Sequence, residues 1–110
     1  MQITISAICT PGTSLRQGIA QDTQLEKYGL VIEKKQEPGR KPGWLKLHSS
    51  DQERGAINVE WDPAGCMLIA RVVTKGSKRP SPIVGDFITY LLSRHSTRIK
   101  VISTAVVKRS

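Results

Sequence analysis

The sequence predicts a single α+β domain with two layers, a mostly antiparallel sheet carrying two helices on one face. Three observations predict this fold: six short segments rich in strand-forming apolar residues, two segments with helical spacing of apolar residues, and their order, β-α-β-β-β-β-α-β. Helices over one sheet face are the economical way to bury the apolar sides of such a set. Because 110 residues suffice for one core and are few for two, we expect residues 1–110 to form one domain.

The first half of the chain opens with a strand and a helix. Apolar residues alternate with polar ones over 2–8, which is typical of a strand. Ser14 followed three residues later by Gln17 has the pattern of a capping box, and the apolar stripe after it predicts a helix over 14–28. A second strand is predicted over 30–35, before a segment rich in Pro and Gly that predicts a turn or loop.

Three strands are predicted in the middle of the chain, over 44–48, 56–61 and 66–74. The last two form a hairpin whose turn is expected to use the positive φ that Gly65 permits. The strand over 66–74 is almost continuously apolar, which indicates a central position in the sheet.

A helix and a strand complete the predicted fold. Ser81 followed by Pro82 predicts a helix with Ser81 as its N-cap, ending near His95, and a last strand follows over 98–107. The two links that contain helices are long enough for crossovers, so each allows the strands it joins to run in the same direction.

The positive charge of the chain is concentrated in its last 40 residues. Seventeen Lys and Arg against nine Asp and Glu give a net charge of +8. Residues 1–70 hold equal numbers of basic and acidic side chains, whereas 71–110 hold nine basic residues and only Asp86. Such asymmetry favours a polyanionic partner, most commonly nucleic acid, and the alternative is a solvated surface that only keeps the protein soluble.

The segment 75–82 carries the strongest sequence signal for binding. Three cations precede the N-terminus of the second predicted helix, where the helix dipole makes positive charge unfavourable by about 0.3 to 1 kcal/mol each. A bound phosphate would reverse this cost, because it meets free N–H groups and the cations together. The predicted nucleic-acid or anion contacts are Lys75, Gly76, Lys78, Arg79, Ser81, Arg98 and Lys100.

A secondary anion site is predicted between the first strand and the first helix. The order strand, Cys9, glycine-containing loop and helix is that of the phosphate loop of cysteine phosphatases, but six residues rather than five separate Cys9 from Arg16. We therefore do not expect catalysis here. The remaining expectation is that Gly12, Thr13, Ser14 and Arg16 hold a phosphorylated small molecule or another anion.

Trp44 is the aromatic residue with a functional alternative. It lies on the face opposite Leu45 and follows Arg40 and Lys41, so it either stacks on a nucleic-acid base or packs beneath a loop. The two Cys and two His are far apart in the sequence, so no metal site and no cofactor are expected.

The function classes that remain are binding functions. The first is a nucleic-acid module that contacts the phosphate backbone, and the second is a non-enzymatic adaptor that docks an acidic protein or self-associates through its sheet edge. An enzyme is the less favoured class. The sequence has no apolar stretch long enough to span a membrane and no secretory signal, so we expect a cytoplasmic protein without a membrane partner.

Overall fold

The order of elements along the chain is the predicted β-α-β-β-β-β-α-β. The computed structural model describes residues 2–41, 43–50, 55–74 and 79–107. The elements are β1 (Gln2–Cys9), α1 (Leu15–Gln21), β2 (Leu30–Lys34), β3 (Leu45–Ser49), β4 (Ala56–Asp62), β5 (Met67–Val73), α2 (Ser81–Arg94) and β6 (Ile99–Val107).

The six strands form one sheet in the order β2-β3-β4-β5-β1-β6, and every neighbouring pair is antiparallel. The strands β2 to β5 form a meander, and β1 lies between β5 and β6. Gln2 pairs with Val73 of β5 on one side and with Val107 of β6 on the other. The two crossovers therefore join strands that run in the same direction but are not neighbours, as the lengths of the links allow.

The core lies between one face of the sheet and the two helices. Residues on that face alternate with residues on the open face, so that Ile5 and Ala7 of β1 are buried while Ile8 is exposed. Leu15 from α1 and Phe87 from α2 belong to the same buried cluster as these strand residues. Trp61, which alternates with Ile57 and Val59 along β4, is half-buried against this cluster.

The first helix is shorter than the sequence predicts. The prediction of a helix over 14–28 is wrong beyond Gln21, because Asp22 is extended (φ −76°, ψ 126°) and directs its carboxylate to Tyr90 and Arg94 of α2. A separate 3₁₀ turn follows over Leu25–Tyr28 and ends at Gly29, whose φ of 76° is the left-handed conformation that favours glycine.

Two local details also differ from the prediction. The N-cap of α2 is Pro80, which makes no side-chain capping bond, and Ser81 is the first helical residue. In the turn between β4 and β5 the positive φ belongs to Cys66 (49°) and not to Gly65. Within the described residues, neither helix has both the length and the apolar character that crossing a bilayer requires.

Candidate functional site

A cleft of about 590 Å³ lies where β2 ends and β3 begins. It is called the Trp44 cleft here. Four of its lining residues are cationic and one is a carboxylate, an excess of positive charge in a small concave space. The lining residues are Arg16, Lys35, Gln36, Glu37, Pro38, Arg40, Lys41, Gly43 and Trp44.

Two successive turns shape the wall of the Trp44 cleft. The Arg40 N–H donates to the Glu37 carbonyl at 3.1 Å, and the Trp44 N–H donates to the Lys41 carbonyl at 3.1 Å. Gly39 (φ 83°) and Gly43 (φ 93°) supply the left-handed backbone that the turns need. The segment rich in Pro and Gly thus places Arg40 and Lys41 beside Trp44.

Arg16 of α1 links the first helix to the segment that forms this wall of the Trp44 cleft. Its Nε and Nη2 donate to the carbonyl oxygen of Trp44 at 3.2 and 2.9 Å, and Nη2 also donates to the carbonyl of Lys35. These acceptors are neutral carbonyls, so they orient the guanidinium without cancelling its charge. Arg16 therefore both braces the cleft and adds positive charge to it.

The indole of Trp44 is buried beneath this segment. The residue is 2% exposed, and the Cζ of Arg40 lies 5.2 Å from the ring centroid in a cation–π contact. Its Nε1 is buried and has no hydrogen-bond partner among the described residues. Of the two alternatives for Trp44, the structure shows packing beneath a loop, and a base that stacked on the ring would have to displace Arg40.

The carboxylate of the Trp44 cleft is already engaged. Glu37 accepts hydrogen bonds from Lys34 at 3.3 Å and from Arg40 at 3.4 Å, and these bonds lower the pKa of Glu37. Lys35 and Lys41 are exposed and have no carboxylate within 4.0 Å among the described residues. Within the described part of the chain, no carboxylate neutralises these two lysines of the cleft.

A second cleft of about 450 Å³ adjoins the first and shares Lys41 and Trp44 with it. Its other polar walls are acidic: Glu60 bonds to Arg71 at 3.1 Å, and Asp62 accepts the N–H of Ala64 at 3.1 Å. The two clefts therefore differ in charge, and the cationic one is the candidate anion site.

The basic residues predicted to bind through the C-terminal third do not form one patch where they are described. Lys75, Gly76 and Lys78 lie outside the described residues. Exposed Arg79 and Ser81 follow the end of β5, whereas Arg98 and Lys100 flank the start of β6. Those two strand ends lie at opposite ends of β1, roughly 20 Å apart along the strands.

Three arginines of the C-terminal third have partners within the fold. Arg71 bonds to Glu60 at 3.1 Å and Arg94 bonds to Asp22 at 3.1 Å, so two carboxylates of the first 70 residues neutralise them. Arg98 Nη2 donates to the carbonyls of Thr10 at 3.2 Å and Thr13 at 2.7 Å. Lys100 is exposed and has no such partner among the described residues.

The residues of the secondary anion site face in different directions. The loop presents the carbonyls of Thr10 and Thr13 to Arg98, and Gly12 lies against that guanidinium. Ser14 Oγ accepts the N–H of Gln17 at 3.3 Å as the N-cap of α1, and Arg16 points to the Trp44 cleft.

Cys9, at the start of this loop, is buried. Its thiol donates to the carbonyl of Ala7 at 3.5 Å, and burial raises its pKa in spite of the charge of Arg98.

A polar network joins the ends of the two helices. Tyr90 Oη donates to Asp22 Oδ2 at 2.8 Å and lies 2.8 Å from His95 Nε2, while Arg94 forms two bonds to the same carboxylate. Burial lowers the pKa of His95. Burial raises the pKa of Asp22, but the hydrogen bonds from Arg94, the Gln24 N–H and Tyr90 outweigh it and hold that pKa below its usual range.

Sequence reasoning noticed part of the Trp44 cleft and missed the rest. The signal is Arg40 and Lys41 shortly before Trp44, for which the sequence predicts either stacking on a base or packing beneath a loop. The contributions of Lys35 and Glu37 were not predicted.

No group of potential metal ligands occurs in the described part of the chain. No known protein-family model matches the sequence, and neither a curated protein nor a solved structure matches it.

Proposed function

We propose that the protein is a binding module for the phosphate backbone of nucleic acid and that the Trp44 cleft is its principal contact. One observation carries the proposal: four cations line one cleft, and the one carboxylate among its described lining residues is already paired. Phosphate contacts made by Lys and Arg supply most of the sequence-independent affinity of nucleic-acid binders.

The geometry of Trp44 favours contact with the backbone over contact with bases. Arg40 occupies one face of the indole, so the ring supports the cationic wall instead of offering an open stacking surface. A binder of this kind holds many sequences with similar affinity, because phosphate contacts carry no sequence information.

The direct test is fluorescence anisotropy with labelled 20-nucleotide DNA and RNA, single-stranded and duplex, at several salt concentrations. Lys41→Glu is the test variant, and Lys27→Glu is the matched control, since Lys27 is equally an exposed lysine but lies in the 3₁₀ turn away from the cleft. We expect Lys41→Glu to lower the affinity at least tenfold and to reduce the slope of log affinity against log salt by about 1.

Two further variants compare the cleft with the C-terminal third. Arg79→Glu and Lys100→Glu change exposed cations of the region that the sequence singled out. The cleft is not the principal contact if either variant costs more affinity than Lys41→Glu, or if Lys27→Glu costs as much. If none of the four nucleic acids binds at 50 mM salt, the proposal fails.

A further inference from the structure

The last strand of the sheet has one unpaired edge. Among the described residues, β6 pairs only with β1 and forms the end of the sheet. At nine residues it is the longest strand of the described chain, and between Val101 and Val107 it holds no charged residue and no proline. Such an edge presents a row of backbone N–H and C=O groups to any strand that lies alongside it.

Apolar side chains flank this edge on both faces of the sheet. Val101 (51% exposed) and Val107 (44%) lie on the open face, and Val106 (56%) lies on the helix face. Ile8 pairs with Val101 and is also exposed, so the apolar surface continues onto β1. Natural sheets protect such edges with charges, bulges or short strands, and residues 101–107 have none of these.

The charge distribution indicates what covers this edge. Two copies of a chain of net charge +8 repel each other, so they meet more readily in a place without charged side chains than in a cationic one. The seven uncharged residues 101–107 are such a place. An acidic protein would be recognised by cations, which flank this stretch in the sequence as Lys100 and Lys108 and do not occur within it.

A two-fold symmetric strand pair also suits this sequence. When a strand pairs antiparallel with its own copy, opposed residues lie on the same face of the sheet, so the central residue faces itself. Near the middle of β6 the candidates are Ile102, Ser103 and Thr104, all uncharged. An axis at Ile102 or Ser103 sets Lys100 opposite Thr104 or Val106, so no like charges are opposed there, whereas an axis at Thr104 sets Lys100 opposite position 108, also a lysine.

We propose that the protein forms a two-fold symmetric dimer in which the β6 strands of two copies pair antiparallel. The pairing joins the two six-stranded sheets into one of twelve strands, with the helices of both copies on the same face. It covers Val101, Val106 and Val107 and satisfies the free edge. This inference is independent of the proposed function, since β6 contributes nothing to the Trp44 cleft.

The first test is sedimentation velocity over a concentration series of the full chain. We expect a species of twice the chain mass, with Thr104→Lys raising its dissociation constant at least tenfold, because two lysines then lie near each other across the pair. Thr104 is exposed, so the substitution leaves the core untouched. Thr23→Lys is the matched control, since Thr23 is an exposed residue of the loop after α1.

Two results of this test overturn the proposal. One is a protein that remains monomeric at every concentration up to about 0.5 mM. The other is a dimer that Thr104→Lys weakens no more than Thr23→Lys does.

The second test locates the two-fold axis by cysteine cross-linking. Ile102→Cys, Ser103→Cys and Thr104→Cys are each made in a Cys66→Ser background, which removes the half-buried native thiol. The central residue lies close to its own copy, at a Cα separation within disulfide range. We expect one variant to form a reducible covalent dimer under a mild oxidant more readily than Thr23→Cys does. If none does, the dimer uses another surface and the proposal is wrong.

Discussion

The two edges of the sheet are built differently. β2, at one edge, has five residues, includes Glu33 and Lys34, and shifts register between Ile32 and Lys34. Its Glu33 forms a 3.0 Å ion pair with Lys46 of β3, whose ammonium lowers the pKa of that carboxyl. β6, at the other edge, is nearly twice as long and uncharged from residue 101 to 107.

This difference indicates that the two edge strands of one sheet can suit different partners. Charge and a shifted register discourage strand pairing at the β2 edge. The cations of the Trp44 cleft lie on the same side of the sheet. The β6 edge has both devices only at its start, where Lys100 and a register shift precede Val101, and its residues 101–107 suit an apolar strand. The proposed anion site and the proposed dimer contact are thus separated by the width of the sheet.

The largest expected contrast between the edges is their response to salt. If all four cations of the Trp44 cleft contact phosphates, raising salt from 50 to 500 mM lowers the affinity for an oligonucleotide by about 10³-fold. The dissociation constant of the dimer should not rise over the same range, because salt screens the repulsion between two copies of charge +8.

Anisotropy and sedimentation velocity measure these two responses on one preparation. A dimer that dissociates as salt rises would contradict the apolar interpretation of the β6 edge. An affinity that hardly changes with salt would contradict the phosphate interpretation of the cleft.

The next largest effect compares packing near the two edges. Leu47 of β3 is fully buried, so Leu47→Ala should lower the free energy of unfolding by about 2 to 5 kcal/mol. Ile102 of β6 is only half-buried, so Ile102→Ala should cost about 1 kcal/mol. Urea denaturation at low protein concentration in a Thr104→Lys background, in which dimer pairing is weakened, measures both. Equal losses would show that β6 is packed as tightly as β3.

A smaller effect concerns the network between the helices, which lies at neither edge. Because burial lowers the pKa of His95, the unfolded chain binds a proton that the folded chain resists. The free energy of unfolding should therefore be highest above the unfolded value of 6.5 and fall as the pH is lowered through it.

Urea denaturation between pH 8 and pH 5 measures this pH dependence, and His95→Gln should remove its His95 component. His48→Gln is the control, since His48 is a half-buried histidine outside the network. An unchanged pH dependence in His95→Gln would contradict the assignment to His95. The lowered pKa of Asp22 adds a separate loss of stability below about pH 4.

The smallest effect belongs to the ion pair of the β2 edge. Glu33 and Lys46 are both partly exposed, so Glu33→Gln should lower the free energy of unfolding by about 0.2 to 1 kcal/mol. Glu26→Gln, at an exposed glutamate without an ion pair among the described residues, should change it less. If both variants are equal, the charges of this edge prevent strand pairing without adding stability.

The sequence predicted the elements well because their signals are local. Alternation identified the strands, and apolar spacing identified α2. The central position expected for residues 67–74 was correct, since β5 lies between β4 and β1. The insertion of β1 between β5 and β6 was not predicted, because it depends on pairs such as Ile3 with Val72 and with Val106, far apart in sequence.

The errors have tertiary causes. α1 ends early because Asp22 bonds to Tyr90 and Arg94, about 70 residues along the chain. The positive charge counted in the last 40 residues is partly neutralised in the fold, because Arg71 pairs with Glu60 and Arg94 pairs with Asp22. The composition gives the number of charged residues but does not show which of them pair in the folded protein.

The candidate cleft was only partly readable from sequence. A sequence pattern can reveal part of it, because Arg40, Lys41 and Trp44 lie within five residues of each other. Arg16 joins them by reaching the carbonyl of Trp44, an unspecific acceptor that every residue possesses. No residue pattern marks such a contact in advance.

The insertion of β1 between β5 and β6 has a consequence for how the chain acquires its structure during synthesis. The ribosome makes β1 before either neighbouring strand. Gln2 can pair on both sides only after Val73 and Val107 have been synthesised. The meander of β2 to β5 closes through nearby residues and needs no such delay. Folding should therefore begin with the meander of β2 to β5 and finish when β1 has paired with both β5 and β6.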